Sequence, residues 1–303
     1  MHAPRRRRVR SISDGGPPIA LTRIAADIPF TRHEGRRGSA WLRESYAMFV
    51  RHRLAWIALL LAYYVTLLAL EALPWIGVYV APLVKPVLSV GFLAAAWTQE
   101  RGGKPAIGMI FRGFRANLAA LLPLGIVFIV GISIALVATA LIDGGLLLGV
   151  LYGAAPVVDN DSSATAGRRE QVLSMPRVQL AMLFGALCAL PTLMALWWAP
   201  ALVVFQDAGL VTALRTSFRA ALANWRAAAR YAFTVFLFGA IVPSIITTLV
   251  ALMLPAPINA TVAAFVVLPY VAFFVATLHI SDYVSYRDVF HPDEGPESRE
   301  ERS

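Results

Sequence analysis

The side chains able to do chemistry are few in this 303-residue chain, and almost none are spaced for it. His2, His33, His52, His279 and His291 are scattered and form no His-Glu-x-x-His run for zinc. Gly131-Ile-Ser133-Ile-Ala135 lacks the last glycine of a nucleophile elbow and sits inside an apolar run. Gly103-Lys104 precedes Pro105 and not the Ser or Thr that a phosphate loop needs. Asp159, Asp161, Ser163, Thr165, Gly167 and Glu170 fall at the oxygen-ligand spacing of a calcium-binding EF-hand loop. However, Ala164 stands where that loop turns on glycine, and Arg168 and Arg169 place positive charge inside the cage. A plain solvated loop is expected there. No catalytic residue, metal or cofactor is assigned, and the chain reads as a non-enzyme.

Two charges stand out by position. Lys85 lies about midway along an apolar stretch, where a charge costs about 2.5–3.5 kcal/mol to insert in a bilayer. Glu71 closes the preceding stretch and meets Lys85 only if Pro82 and Pro86 let the chain bend. The alternatives are a lysine in a water-filled transport path and a lysine whose flexible stem carries its charge towards the interface.

The remaining pattern is basic. From Leu210 to Arg230, Arg215, Arg219, Arg226 and Arg230 fall within about one-sixth of a helix circumference. Beside them run Val211, Leu214, Phe218, Leu222 and Trp225, and most of what remains is Ala, Ser and Thr. An arginine stripe beside an aromatic one suits the boundary between headgroups and acyl chains. A second, shorter copy has Arg112 and Arg115 beside Ile107, Ile110, Phe111 and Phe114, and a third has Leu42, Tyr46 and Phe49. These six arginines are the expected contacts for anionic phospholipid.

The elements that carry these stripes follow from composition. The chain is 58% hydrophobic and 15% charged, with a mean hydropathy of +0.65, which places it among polytopic membrane proteins. Its net charge of +9 sits in the first residues and between apolar runs, so membrane lipid and orientation explain it better than nucleic acid. The one cysteine, Cys188, excludes an internal disulfide. Apolar runs at 54–72, 75–97, 118–142, 178–205, 231–254 and 259–280 are long enough to cross a bilayer. Residues 1–38 read as a disordered basic tail, 143–178 as a loop on the far side, and 286–303 as a charged tail. Within that loop, residues 144–155 extend the third span, dip back into the membrane or lie flat. The second span is expected to kink or break at Pro82 and Pro86.

The connections at Gln99–Arg115 and Gln206–Arg230 each hold four basic residues, so both termini are expected in the cytoplasm, with the protein in a bacterial inner membrane. Ser45-Tyr46, Ile110-Phe111-Arg112, Ser217-Phe218-Arg219 and Ser285-Tyr286-Arg287 recur, their aromatics separated by 65, 107 and 68 residues. His52, Asn117 and Asn224 follow the first three aromatics six residues on. This spacing predicts three units of interfacial helix plus two-span hairpin, with a truncated fourth start. The alternative is that aromatics and arginines simply gather at a membrane border.

Several runs carry a resemblance. They are Pro86-Val-Leu-Ser-Val-Gly91, Phe111-Arg-Gly-Phe-Arg115-Ala-Asn117, Ala199 to Asp207, Ala213 to Trp225, and Ser285-Tyr-Arg-Asp-Val-Phe290. The chain resembles an uncharacterised family of proteobacterial inner-membrane proteins, and is distantly similar to the membrane domain of some glycerophosphodiester phosphodiesterases. The resemblance spares only the first 35 residues and the loop around Asp159. It implies an all-α, six-span bundle and brings no active-site residues. Lys85 departs from the pattern, in which an uncharged residue precedes that proline. The function expected is a structural or accessory role at the lipid bilayer, in envelope or lipid homeostasis; the alternative is a transporter or permease for a small solute or lipid.

Overall fold

A computed structural model describes residues 28–152, 162–255 and 258–291. Among the described residues the fold is all helical, and six helical stretches are long and apolar enough to cross a membrane. α1 (Arg37–Arg51) leads into α2 (Arg53–Glu71) and α3 (Gly77–Glu100). A 3₁₀ segment (Ile107–Arg115) precedes α4 (Leu118–Asp143), α5 (Leu146–Tyr152), α6 (Ser162–Leu173) and α7 (Pro176–Trp197). α8 (Ala199–Gln206) and α9 (Leu210–Ala223) follow. α10 (Trp225–Phe236) continues through a π turn at Leu237–Ile241 into α11 (Val242–Met253), and α12 (Ile258–Phe290) closes the fold.

Local chemistry sets the ends of these helices. Asn117 accepts from the amide of Ala120 at 3.2 Å and so caps the start of α4. Gly144 ends α4 in the left-handed conformation that favours glycine. Asp143 then accepts from the amides of Gly145 and Leu147, both at 2.8 Å, and starts α5. At seven residues α5 is too short to cross a bilayer. His52 and Asn224 mark the breaks between α1 and α2 and between α9 and α10. The three positions that recur six residues after an aromatic are therefore the three junctions between an interfacial element and a span.

The spans pack as hairpins, α2 with α3, α4 with α7, and α11 with α12. Small residues let their backbones approach, as helix packing in lipid requires. A side chain at Gly113 would collide with the carbonyl oxygen of Val87, and one at Gly91 would lie 2.5 Å from Cα of Ile110. Thus the 3₁₀ segment lies directly against α3. Gly125 meets Leu83, Gly131 meets Thr192, and Gly185 meets Thr139, which fixes α4 against α3 and α7.

Several expectations are corrected. Of the kink or break expected at Pro82 and Pro86, the break does not occur, since α3 is one helix through both prolines. Gly125 and Gly113 press α4 and the 3₁₀ segment onto that part of α3, and this packing holds the helix where two ring nitrogens cannot donate. The second interfacial element is 3₁₀ and not α. The Leu210–Arg230 stripe lies on two helices that meet at Asn224. The tail boundaries also move. Residues 28–36 pack on the bundle, with the Thr31 amide donating to the Val289 carbonyl at 2.7 Å and Phe30 edge-on to Phe290. At the other end α12 runs to Phe290, and Tyr286 to Phe290 are buried. The polar loop contains α6, so Ser163, Thr165, Gly167 and Glu170 lie on a helix. Asp159 and Asp161 fall outside the described residues.

Candidate functional site

The residues able to act on surroundings gather at one end of the bundle, where the described chain begins and ends. All six arginines of the sequence stripes are exposed there: Arg112 and Arg115 on the 3₁₀ segment, Arg215 and Arg219 on α9, Arg226 and Arg230 on α10. Val211, Leu222 and Trp225 are exposed beside them at 74%, 54% and 57%. The third face of α9 decides how this surface is held. Ala213, Thr216, Ser217, Ala220 and Ala221 are buried against the bundle. Small side chains let α9 lie close, which leaves the charged face directed outward, while Leu214 and Phe218 of the apolar stripe are half-buried. The Arg226 guanidinium stands 5.5 Å from the Trp225 ring, and Arg230 Nε donates to Ser39 Oγ at 3.3 Å.

Beneath this surface lies a buried polar network centred on the Ser285-Tyr286-Arg287-Asp288 run. Asp288 accepts from Arg37 Nε and Nη2 and from Trp41 Nε1, each at 2.8 Å. Arg287 donates to Glu100 at 2.6 Å and to Glu44 at 3.0 Å, and Glu44 also pairs with Arg37 at 3.0 Å. Tyr283 donates its hydroxyl to Glu100. Ser285 accepts from Trp198 Nε1 at 2.9 Å, and Gln206 donates to Tyr286 at 3.1 Å. Asn224 accepts from the His33 amide at 2.7 Å and donates to the Thr31 carbonyl. One four-residue run of α12 thus ties α1, α3, α8 and the α7–α8 junction together. It is a buried hub, so the expectation of a truncated fourth interfacial start is corrected. The residue before each recurrent aromatic, Ser45, Ile110, Ser217 and Ser285, is fully buried in all four copies.

A cavity of about 900 Å³ opens between α7 and α10. Leu193, Trp197, Tyr231 and Phe236 line it, with Asp282 of α12 and Ser89 of α3 on its inner wall. A smaller cavity of about 180 Å³ continues from it past Ser89 and Phe128 to Lys85. Lys85 is half-buried, Glu71 is exposed, and the structure does not bring them together. The unbroken α3 keeps them apart.

With these facts in place, comparison with known proteins adds one relative. The chain is 29% identical over 261 residues to a curated protein of Burkholderia thailandensis described as a "probable inner membrane protein". The match covers 84% of this chain and 91% of the relative. No family model and no solved structure matches. This is a polytopic membrane protein.

Sequence reasoning found the arginines and Lys85 but missed Asp282, Glu44, Glu100 and Arg37. The signal was present for Asp282, an acid within two residues of a long apolar run. Arg37 and Glu44 stand two helical turns apart on α1, which is a local signal, whereas nothing local marked Glu100, whose partner Arg287 is 187 residues away.

Proposed function

We propose that the protein is a non-enzymatic lipid-interface protein of the bacterial inner membrane, with both termini in the cytoplasm. The observation that carries this reading is the seating of α9: a buried face of small residues and an exposed face of arginines, with Val211 and Leu222 exposed beside it. Arginine suits the phosphate layer because its fork of donors holds a phosphate bidentately. The basic connections lie at the end where α1 meets the close of α12, and the positive-inside bias assigns that end to the cytoplasm. The inner-membrane description of the relative supports the location.

Each basic residue near an anionic surface contributes about 1 kcal/mol, and the effect falls as salt rises. The test is native mass spectrometry of the full chain released from bilayers of phosphatidylglycerol mixed with phosphatidylcholine. The wild type should retain phosphatidylglycerol preferentially. Replacing Arg215, Arg219, Arg226 and Arg230 with Gln should remove most of that preference. Equal retention of the two lipids by the wild type overturns the reading and leaves the arginines only a topological role. The cavity between α7 and α10 supports a second reading, passage of a small solute or lipid.

A further inference from the structure

We propose that the cavity between α7 and α10 is a binding site for a lipophilic organic cation, with the Asp282 carboxylate as its counter-charge. The proposal goes beyond the lipid-interface reading and does not depend on it.

The cavity has the size and make-up of a small-molecule site. At about 900 Å³ it holds a drug-sized body, and carbon-rich side chains supply nearly all of its wall. Aromatic rings stand on several sides, from Phe128, Trp197, Trp225, Tyr231 and Phe236. Ring faces attract cations, and more strongly where water is excluded. Leu190, Leu193, Trp225 and Phe236 line the cavity and are 45–57% exposed, so its mouth faces the lipid side of the bundle. A ligand dissolved in the membrane therefore has a lateral way in. The π turn that follows Phe236 adds a local irregularity of the kind often found beside functional sites.

Asp282 gives the site its sign. It is the acidic residue of the cavity lining and is half-buried. Its carboxylate has no ion pair or hydrogen bond among the described residues. The contrast with the neighbouring acids is plain: Glu44, Glu100 and Asp288 are all held by arginine. The nearby Tyr231 hydroxyl is taken by Ser281 at 2.6 Å. A carboxylate against apolar walls without a partner is costly, and an entering cation removes that cost.

Lys85 does not supply the missing charge. His279 stacks on Phe92 at 4.0 Å, which sets α3 and α12 in register. Asp282 lies one helical turn to one side of that level and Lys85 two turns to the other. At 1.5 Å per residue the two are roughly 15 Å apart along the bundle. Arg226 and Arg230 are exposed and belong to the interface outside the mouth. An anion of the same shape would face the carboxylate with no cation beside it.

The test uses the full chain in nanodiscs of neutral lipid, with tetraphenylphosphonium and tetraphenylborate as probes of matched shape and opposite charge. Saturable binding of tetraphenylphosphonium, above that of empty nanodiscs and at least tenfold tighter than tetraphenylborate, is expected. Asp282→Asn should weaken the cation at least tenfold while leaving thermal stability in place, because the carboxylate has no partner to lose. Ala228→Phe, which fills the wall of α10, should weaken it without changing any charge. Replacing the four stripe arginines with Gln should leave cation binding intact, which separates this site from the lipid belt. The absence of saturable cation binding, equal binding of the two probes by the wild type, or an unchanged affinity in a folded Asp282→Asn overturns the proposal. The wild-type comparison of the two probes decides it even if the variant does not fold.

Discussion

Removing Arg287 is the most informative perturbation of the buried hub. Five formal charges meet there, Arg37 and Arg287 against Glu44, Glu100 and Asp288. The Arg287 side chain is 5% exposed and that of Glu100 is 12% exposed. Arg287→Met keeps the apolar length of the side chain but leaves three carboxylates with one guanidinium. Among the described residues Glu100 then retains only the Tyr283 hydroxyl as a partner. Breaking a buried ion pair by removing one partner costs about 3–5 kcal/mol. The substitution also removes Arg287 Nε, which is buried with no acceptor among the described residues, and relief of that group offsets about 1–3 kcal/mol. The midpoints of these ranges give a net loss of about 2 kcal/mol. Asp288→Asn should cost less, because two guanidinium groups and two carboxylates then remain in balance. Denaturant-induced unfolding in mixed micelles, followed by tryptophan fluorescence, measures both variants. The decisive comparison is Arg287→Met with Glu100→Gln added. If the orphaned carboxylate is the source of the loss, the second substitution should restore about 1 kcal/mol or more. A double variant whose loss is the sum of the two single losses would refute the charge-count argument.

Three further outcomes are expected. Gly113→Ala should cost about 1–3 kcal/mol, because its new methyl meets the Val87 carbonyl, while Gly108→Ala in the same 3₁₀ segment has open space and should stay within about 0.5 kcal/mol; equal effects in unfolding would remove the packing argument. Lys85→Leu should preserve or raise stability, since the ammonium group has no ion pair among the described residues and a mid-membrane charge is costly; a lower melting temperature would show that Lys85 holds α3. A phosphatase fused after Ser162 should be active and one fused after Gly103 inactive, and the reverse pattern would overturn the cytoplasmic placement of the termini.

The sequence alone determined the number of spans, because length and hydropathy are properties of single segments and the bilayer imposes one requirement on each. It also determined the outward direction of the arginines, since a charged stripe on an amphipathic helix has few places to go. The junctions at His52 and Asn117 were legible for the same reason, as local changes from an amphipathic to an apolar pattern, whereas the arginine stripe runs on past Asn224 and hides the break there. Tertiary structure decided what depends on distant partners. Pro82 and Pro86 signal a kink or a break, and α3 stays one helix because Gly125 and Gly113 bring two other elements against its backbone. The Ser285-Tyr286-Arg287-Asp288 run reads like another interfacial start, and it is buried because Arg37 and Glu44 of α1, Glu100 of α3 and Trp198 at the α7–α8 junction arrive to satisfy its polar atoms. Asp282 differs from these neighbours only in having no such arrival. A sequence shows that a charge sits near an apolar run, and only the packed bundle settles whether that charge meets a partner or an open cavity, because the desolvation of a charge and its compensation are both set by groups far away along the chain.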